Sequence, residues 1–245
     1  DEPFQKLLSV RHGQSLRIDP ITGTLFASSV EGIYRITYEN NKWEHKQFID
    51  NHSNEIIAME IDDAGVIWVG TALQTLYRIE NAQFEDKETK ITLFGENEGL
   101  APGKITPIKL SVASMNDNLS GIAIATKNGL MTYQQQHHHQ PSLRMLSTFP
   151  ELFHSNNVPV NFIFDEQSVA QDLQRIWYQI GDSAGYITQD DNLQWQQHET
   201  LFNAFDEKQL IDLFVAQKNI LWLTLINILR CRRIDWCRRR RGIYL

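Results

Sequence analysis

The stretch AGVIWVGTALQTLYRI, Ala64 to Ile79, recurs in weaker form along the whole chain. TGTLFASSVEGIYRI begins at Thr22, SGIAIATKNGLMTY at Ser120, QRIWYQIGDSAGYIT at Gln174 and KNILWLT at Lys218. With Trp68 as the anchor, the equivalents are Phe26, Ala123, Trp177 and Trp222, so successive anchors stand 42, 55, 54 and 45 residues apart. A period of that length means one supersecondary unit per copy, each unable to bury its apolar face until a neighbour stacks on it.

Within a copy the pattern is that of strands. In the second, EIIAMEI, VIWVGT, TLYRIE and KITLFG are short runs rich in β-branched and aromatic residues, and the turn DDAG separates the first two. Asp and Gly suit tight hairpins because they tolerate the required backbone angles. HKQFID, LRMLSTF and LQWQQHETLF stand where fourth strands belong in other copies. Consecutive apolar positions in WVGT predict a strand covered on both faces. Four antiparallel strands per copy predict an all-β chain: a β-propeller of about five four-stranded blades. The last blade is either incomplete or closed by the N-terminal run FQKLLSV, Phe4 to Val10, which would remove an open edge. Ala123 at an anchor position is expected to be compensated by larger neighbours.

Of the 245 residues, 42% are hydrophobic and 22% charged, which suits a large core. No window approaches the roughly 20 apolar residues of a membrane-spanning helix, so no membrane insertion by this segment is expected. Cys231 and Cys237 are the two cysteines, so the repeats are free of thiols, as suits an oxidising compartment. The first residue is Asp1, as expected of a processed chain or an excised domain. Seven arginines and one acid between positions 230 and 241 give that segment +6, while the net charge of the whole is −7. The remainder therefore carries −13, an acidic body that argues against nucleic acid as a partner.

Two domains follow from this: residues 1–229 as the propeller and 230–245 as an atypical Arg/Cys-rich tail. The tail reads as a basic docking or juxtamembrane segment, as a cysteine site too poor in ligands for structural zinc, or as non-native sequence. Its final GIYL echoes GIYR at Gly32 to Arg35, so an insertion that returns to the blade pattern also fits.

The strings GENEGLAPGKI, Gly95 to Ile105, and GVIWVGT with the later LYRI resemble the two-component regulator propeller repeat. The resemblance covers about residues 15 to 225, closest in the second copy and weakest in the third and fifth. It implies the extracytoplasmic, periplasmic sensor of a membrane-bound histidine kinase or diguanylate cyclase, with signal input and no catalysis of its own. It further implies a small ligand or periplasmic protein as partner and a homodimer formed through the parent receptor. Five copies are fewer than such sensors usually contain, which suggests part of a longer receptor.

Function is expected in the unlike connections between copies. His52 and His154 each precede Ser-Asn in a connection leading into an inner strand. With Asn54, Lys104, Asn156, Asn157 and Lys208 from corresponding connections, they form the candidate ligand-binding set at one mouth of the channel. The competing reading makes them ordinary turn residues. No catalytic residue, metal ligand or cofactor is predicted: His137, His138 and His139 belong to a polar loop, and His45 and His198 to outer strands. Asp62 and Asp63, like Asp190 and Asp191, sit in hairpin turns with too few carboxylates for calcium. Two alternatives remain: a propeller enzyme resembling virginiamycin lyase or the lactonases, with its site at the channel mouth, and a passive protein-interaction platform.

Overall fold

The computed structural model describes residues 12–50, 54–100, 103, 105–109, 121–126, 129–134, 142–145, 160–167, 174–180, 183–190, 195–198, 208–216, 220–227 and 241–244. The chain is all-β, and each copy of the repeat forms one sheet in which every strand pairs with the next in sequence. Sheet 1 holds β1 (Gly13–Ile18), β2 (Leu25–Ser29), β3 (Gly32–Glu39) and β4 (Lys42–Asp50). Sheet 2 holds β5 (Ile56–Ile61), β6 (Ile67–Thr71), β7 (Leu76–Glu80) and β8 (Lys90–Phe94). Sheet 3 holds β9 (Thr106–Lys109), β10 (Ile122–Thr126), β11 (Gly129–Gln134) and β12 (Ser142–Met145). Sheet 4 holds β13 (Val160–Gln167), β14 (Gln174–Ile180), β15 (Ser183–Gln189) and β16 (Trp195–His198). Sheet 5 has three strands, β17 (Lys208–Ala216), β18 (Ile220–Asn227) and β19 (Arg241–Tyr244).

The chain divides into two compact units, Asp1–Phe164 and Asp165–Leu245. In the first unit β1 lies beside β5 and β5 beside β9, so the first strands of three successive sheets are neighbours.

Local chemistry explains the hairpins. Asn40 and Asn41 join β3 to β4 with φ of 51° and 60°, the left-handed pair of a two-residue turn that asparagine tolerates. In the β5–β6 hairpin, Asp62 Oδ1 accepts the backbone N–H of Ala64 at 3.0 Å and of Val66 at 2.9 Å. Its Oδ2 accepts the indole N–H of Trp68 at 3.1 Å. One buried carboxylate thus ties the turn to the anchor residue of the following strand.

The two faces of sheet 2 differ, and the strand register shows how. On β6, Trp68 faces sheet 3 and packs with Leu76, Phe94, Ile122, Ile124, Met131 and Tyr133. Val69 and Ile67, on the opposite face with Met59 and Ile61, pack against Phe26 and Ile33 of sheet 1. The anchor face of sheet 1 therefore covers the opposite face of sheet 2, and the anchor face of sheet 2 that of sheet 3. Burying each of these large side chains stabilises the fold by roughly 1.5–3 kcal/mol. Gly70 is needed where β6 meets the start of sheet 3: a Cβ there would collide with the Ile105 carbonyl. The smaller anchor Ala123 is fully buried as well.

On sheet 1 the corresponding face is exposed along β1 and at its outer corner, while Tyr34 and Ile36 in its middle are buried. Leu16 and Ile18, which match Met59 and Ile61 by register, are 59% and 63% exposed, against 1% and 2% for their counterparts. Tyr38 and Trp43 extend the same face, with ring centroids 4.9 Å apart.

Sheet 5 departs from the others in its hairpin. The residue paired with the anchor lies nine or ten positions downstream in sheets 1 to 4, but twenty downstream in sheet 5, where Trp222 pairs with Gly242. The echo at Gly242 is therefore a paired strand, and the connection from β18 to β19, residues 228–240, is about ten residues longer than its counterparts. Those residues lie outside the described part, as do FQKLLSV and the histidine run 137–139.

Candidate functional site

The register places Asn54, which precedes β5, and Lys208, the first residue of β17, beside the end of the second strand of their own sheets. The first strand of each sheet begins beside the end of the second: Ile56 pairs with Thr71, Thr106 with Ala125, and Lys208 with Asn227. His52, Lys104, His154, Asn156 and Asn157 lie outside the described residues, and Lys208 is described only through its backbone, as the first residue of β17.

Asn54 is described, and its side chain serves the fold. It is 7% exposed. Its amide nitrogen donates to Thr75 Oγ1 at 2.9 Å and to the Tyr77 hydroxyl at 3.4 Å, and its Oδ1 accepts the Leu73 backbone N–H at 3.1 Å. These bonds clamp the β6–β7 turn to the connection that precedes β5. Thr71 and Thr75 close the same turn, their hydroxyls 2.7 Å apart, and Gln74 takes a φ of 60° at its tip. Ala72 N–H donates to the Glu55 carbonyl at 2.8 Å. The result is a fixed tip that presents Leu73 at 64% exposure, with Ala72, Gln74 and Glu55 exposed around it. This described part of the rim offers shape and one apolar contact. The sequence reading missed Leu73, whose only signal was an apolar residue in the middle of a polar turn.

Among the described residues, charged side chains join neighbouring sheets. Arg17 of β1 donates through Nε to both carboxylate oxygens of Glu60 on β5, each at 2.9 Å. Arg35 pairs with Glu85 and reaches the Ala82 carbonyl. Arg78 lies 4.8 Å from the Tyr133 ring centroid and 5.7 Å from that of Trp68, and also pairs with Glu80. Guanidinium planes suit this stacking between aromatic layers.

Among the described residues, Asp62 is the group whose titration is displaced. Burial pushes its carboxyl up from the ordinary value of 3.8, outweighing the Trp68 indole N–H, the Val66 and Ala64 backbone N–H groups and the charge of Arg78, all of which favour the anion. Its position in a satisfied turn, away from the rim, makes this displacement a property of packing. Among the described residues, no three of His, Cys, Asp and Glu converge in a way that could hold a metal ion. His45 and His198 stand on β4 and β16, and Tyr186 stacks on the His198 ring at 4.6 Å.

No protein-family model and no curated protein matches the chain. Among solved structures it is similar to the extracellular domain of a protein assigned to a hybrid two-component system in B. thetaiotaomicron. The TM-score is 0.52 at 19% identity, over 87% of this chain and 25% of that one. The likeness is one of fold, and the chain spans a quarter of the length of that neighbour. Among the described residues no helix is long and apolar enough to cross a membrane.

Proposed function

We propose that the chain is the ligand- or partner-binding part of an extracytoplasmic, periplasmic sensor of the two-component regulator propeller type. In this reading its sheets are propeller blades and the segment does no chemistry of its own. The observation that carries it is the repeated four-stranded sheet with neighbouring first strands in the first unit, combined with fold likeness to the extracellular domain of a two-component system.

The contacting set is His52, Lys104, His154, Asn156, Asn157 and Lys208, with Asn54 acting indirectly by holding the Leu73 tip. Occupation of the rim by a small ligand or a periplasmic protein biases how two receptor chains associate. The test replaces His52 and Asn156 with alanine in the parent receptor and reads its signalling output, with thermal unfolding as the control for folding. Loss of response in a folded receptor is expected; full response in the double variant would sink the assignment of the rim.

A further inference from the structure

The outer strand of sheet 1 is built unlike the outer strands of sheets 2 to 4. β4 runs for nine residues, against five for β8 and four each for β12 and β16. It ends the order β1-β2-β3-β4, so among the described residues no strand pairs with its outer backbone edge. Residues 42–47 are all exposed. Soluble proteins commonly blunt such an edge with proline, a bulge or a row of lysines. In KWEHKQ, Lys42 to Gln47, there is no proline, the register shifts only beyond Gln47, and the charges of Lys42, Glu44 and Lys46 alternate in sign.

The turn decides which backbone groups of β4 face outward. Asn40 and Asn41 form a two-residue loop closed by the pair Glu39 and Lys42, and the pair that closes such a loop exchanges its backbone hydrogen bonds. Lys42, Glu44 and Lys46 therefore turn their N–H and C=O toward β3, while Trp43, His45 and Gln47 turn theirs away from it. The side chains alternate as well. Lys42, Glu44 and Lys46 stand on the anchor face with Arg35, and Trp43, His45 and Gln47 on the other face with Tyr38. A strand added antiparallel to this edge meets a row of alternating charges, and β4 itself carries the complementary row.

We propose that β4 pairs antiparallel with β4 of a second copy of this chain, about a two-fold axis through His45. Trp43 then exchanges backbone hydrogen bonds with Gln47 of the second copy, and His45 with His45 of the second copy. Between these, Glu44 stands opposite Lys46 of the second copy, and by symmetry Lys46 opposite Glu44, in the non-bonded pairs where side chains come closest. Charge selects this register. A slip that centres the pairing on Glu44 sets Glu44 against itself and Lys42 against Lys46; a slip that centres it on Lys46 sets lysine against lysine. The contact is short and belongs to the weak, transient class of interfaces. It rests on the edge of sheet 1 alone and is independent of the sensor reading and of the rim.

The test combines sedimentation velocity of the 245-residue chain with thiol trapping. Glu44→Lys sets like charges against each other twice and is expected to weaken self-association roughly tenfold, as is Lys46→Glu. The double variant reverses both pairs and is expected to restore the wild-type affinity. These side chains are exposed, so the variants are expected to fold, and thermal unfolding checks it. For trapping, Cys231 and Cys237 are replaced by serine. Cα atoms of a bonded pair lie about 5.5 Å apart, within disulfide reach, so His45→Cys is expected to give a covalent dimer under mild oxidation. Trp43→Cys stands four residues out of register with its own copy, roughly 13 Å along the strand, and is expected to stay monomeric. A wild type that remains monomeric up to about 1 mM overturns the proposal. So does a double variant no stronger than the single ones, or trapping of Trp43→Cys equal to that of His45→Cys.

Discussion

Asp62→Ala tests the central claim about the hairpin, that one carboxylate supports both the turn and the anchor. The substitution removes three accepted bonds. Ala64 is exposed, so its N–H finds water and the cost there is near zero. Val66 N–H and the indole N–H of Trp68 are buried and would be left without partners. Each such loss costs about 1–3 kcal/mol. Against this, the variant no longer buries a carboxyl that its surroundings already push toward the neutral form. The balance is a loss of about 3 kcal/mol, and a Tm lowered by about 6–12 °C. Urea unfolding followed by tryptophan fluorescence measures it, with the exposed Glu44→Ala as a control expected to stay within about 0.5 kcal/mol. A loss below about 1 kcal/mol for Asp62→Ala would mean the turn holds without its carboxylate and would refute the reasoning.

The same residue sets a pH dependence. The folded state keeps the Asp62 proton to higher pH than the unfolded chain does, so between the ordinary value of 3.8 and the raised folded value the native state binds more protons. Its contribution to stability is therefore full below 3.8 and falls as pH rises through that window. Subtracting the pH profile of Asp62→Asn from that of the wild type isolates this slope, and a difference of opposite sign contradicts it.

Three further outcomes are expected. Gly70→Ala forces a Cβ into the Ile105 carbonyl and is expected to cost at least about 2 kcal/mol in denaturant unfolding. Arg78→Lys keeps the charge but loses the planar stack on Tyr133 and Trp68, a loss of about 1 kcal/mol that Tyr133→Leu in the same background should not add to fully. Ile18→Ser and Ile61→Ser change the same repeat position; the first is expected to shift stability by less than about 0.5 kcal/mol and to lower binding of a hydrophobic dye, the second to cost about 3 kcal/mol or more.

The strands were legible because their residues answer to a local rule. Trp68, Val69 and Ile67 alternate between two buried faces, and that alternation is written in five consecutive letters, IWVGT. The role of Asp62 was half visible: its turn bonds follow from spacing, whereas the indole bond requires knowing that β6 brings Trp68 back over the turn. Asn54 was legible only as a polar residue in a connection. Its partners Thr75 and Tyr77 stand 21 and 23 residues away, and no periodicity encodes that bond. Apart from the His-Ser-Asn shared by His52 and His154, the connections are written in residues that differ from copy to copy, so repetition, the signal that reveals the scaffold, says little about them. The extra ten or so residues before Gly242 were visible as a break in the pattern, but only strand pairing shows that the break lies inside a hairpin.

The unequal faces of the sheets give the stack in the first unit a direction. Each sheet offers an anchor side and a receiving side, and the two are complementary to one another, not to themselves. A duplicated gene segment encoding one such sheet would therefore carry its own mating surfaces and could join the row without remodelling its neighbours. A sheet inserted with its faces reversed would bring anchor against anchor, Trp68 against an aromatic of its own kind. Lengthening by whole units is the cheap evolutionary step for this architecture, and inversion is the forbidden one.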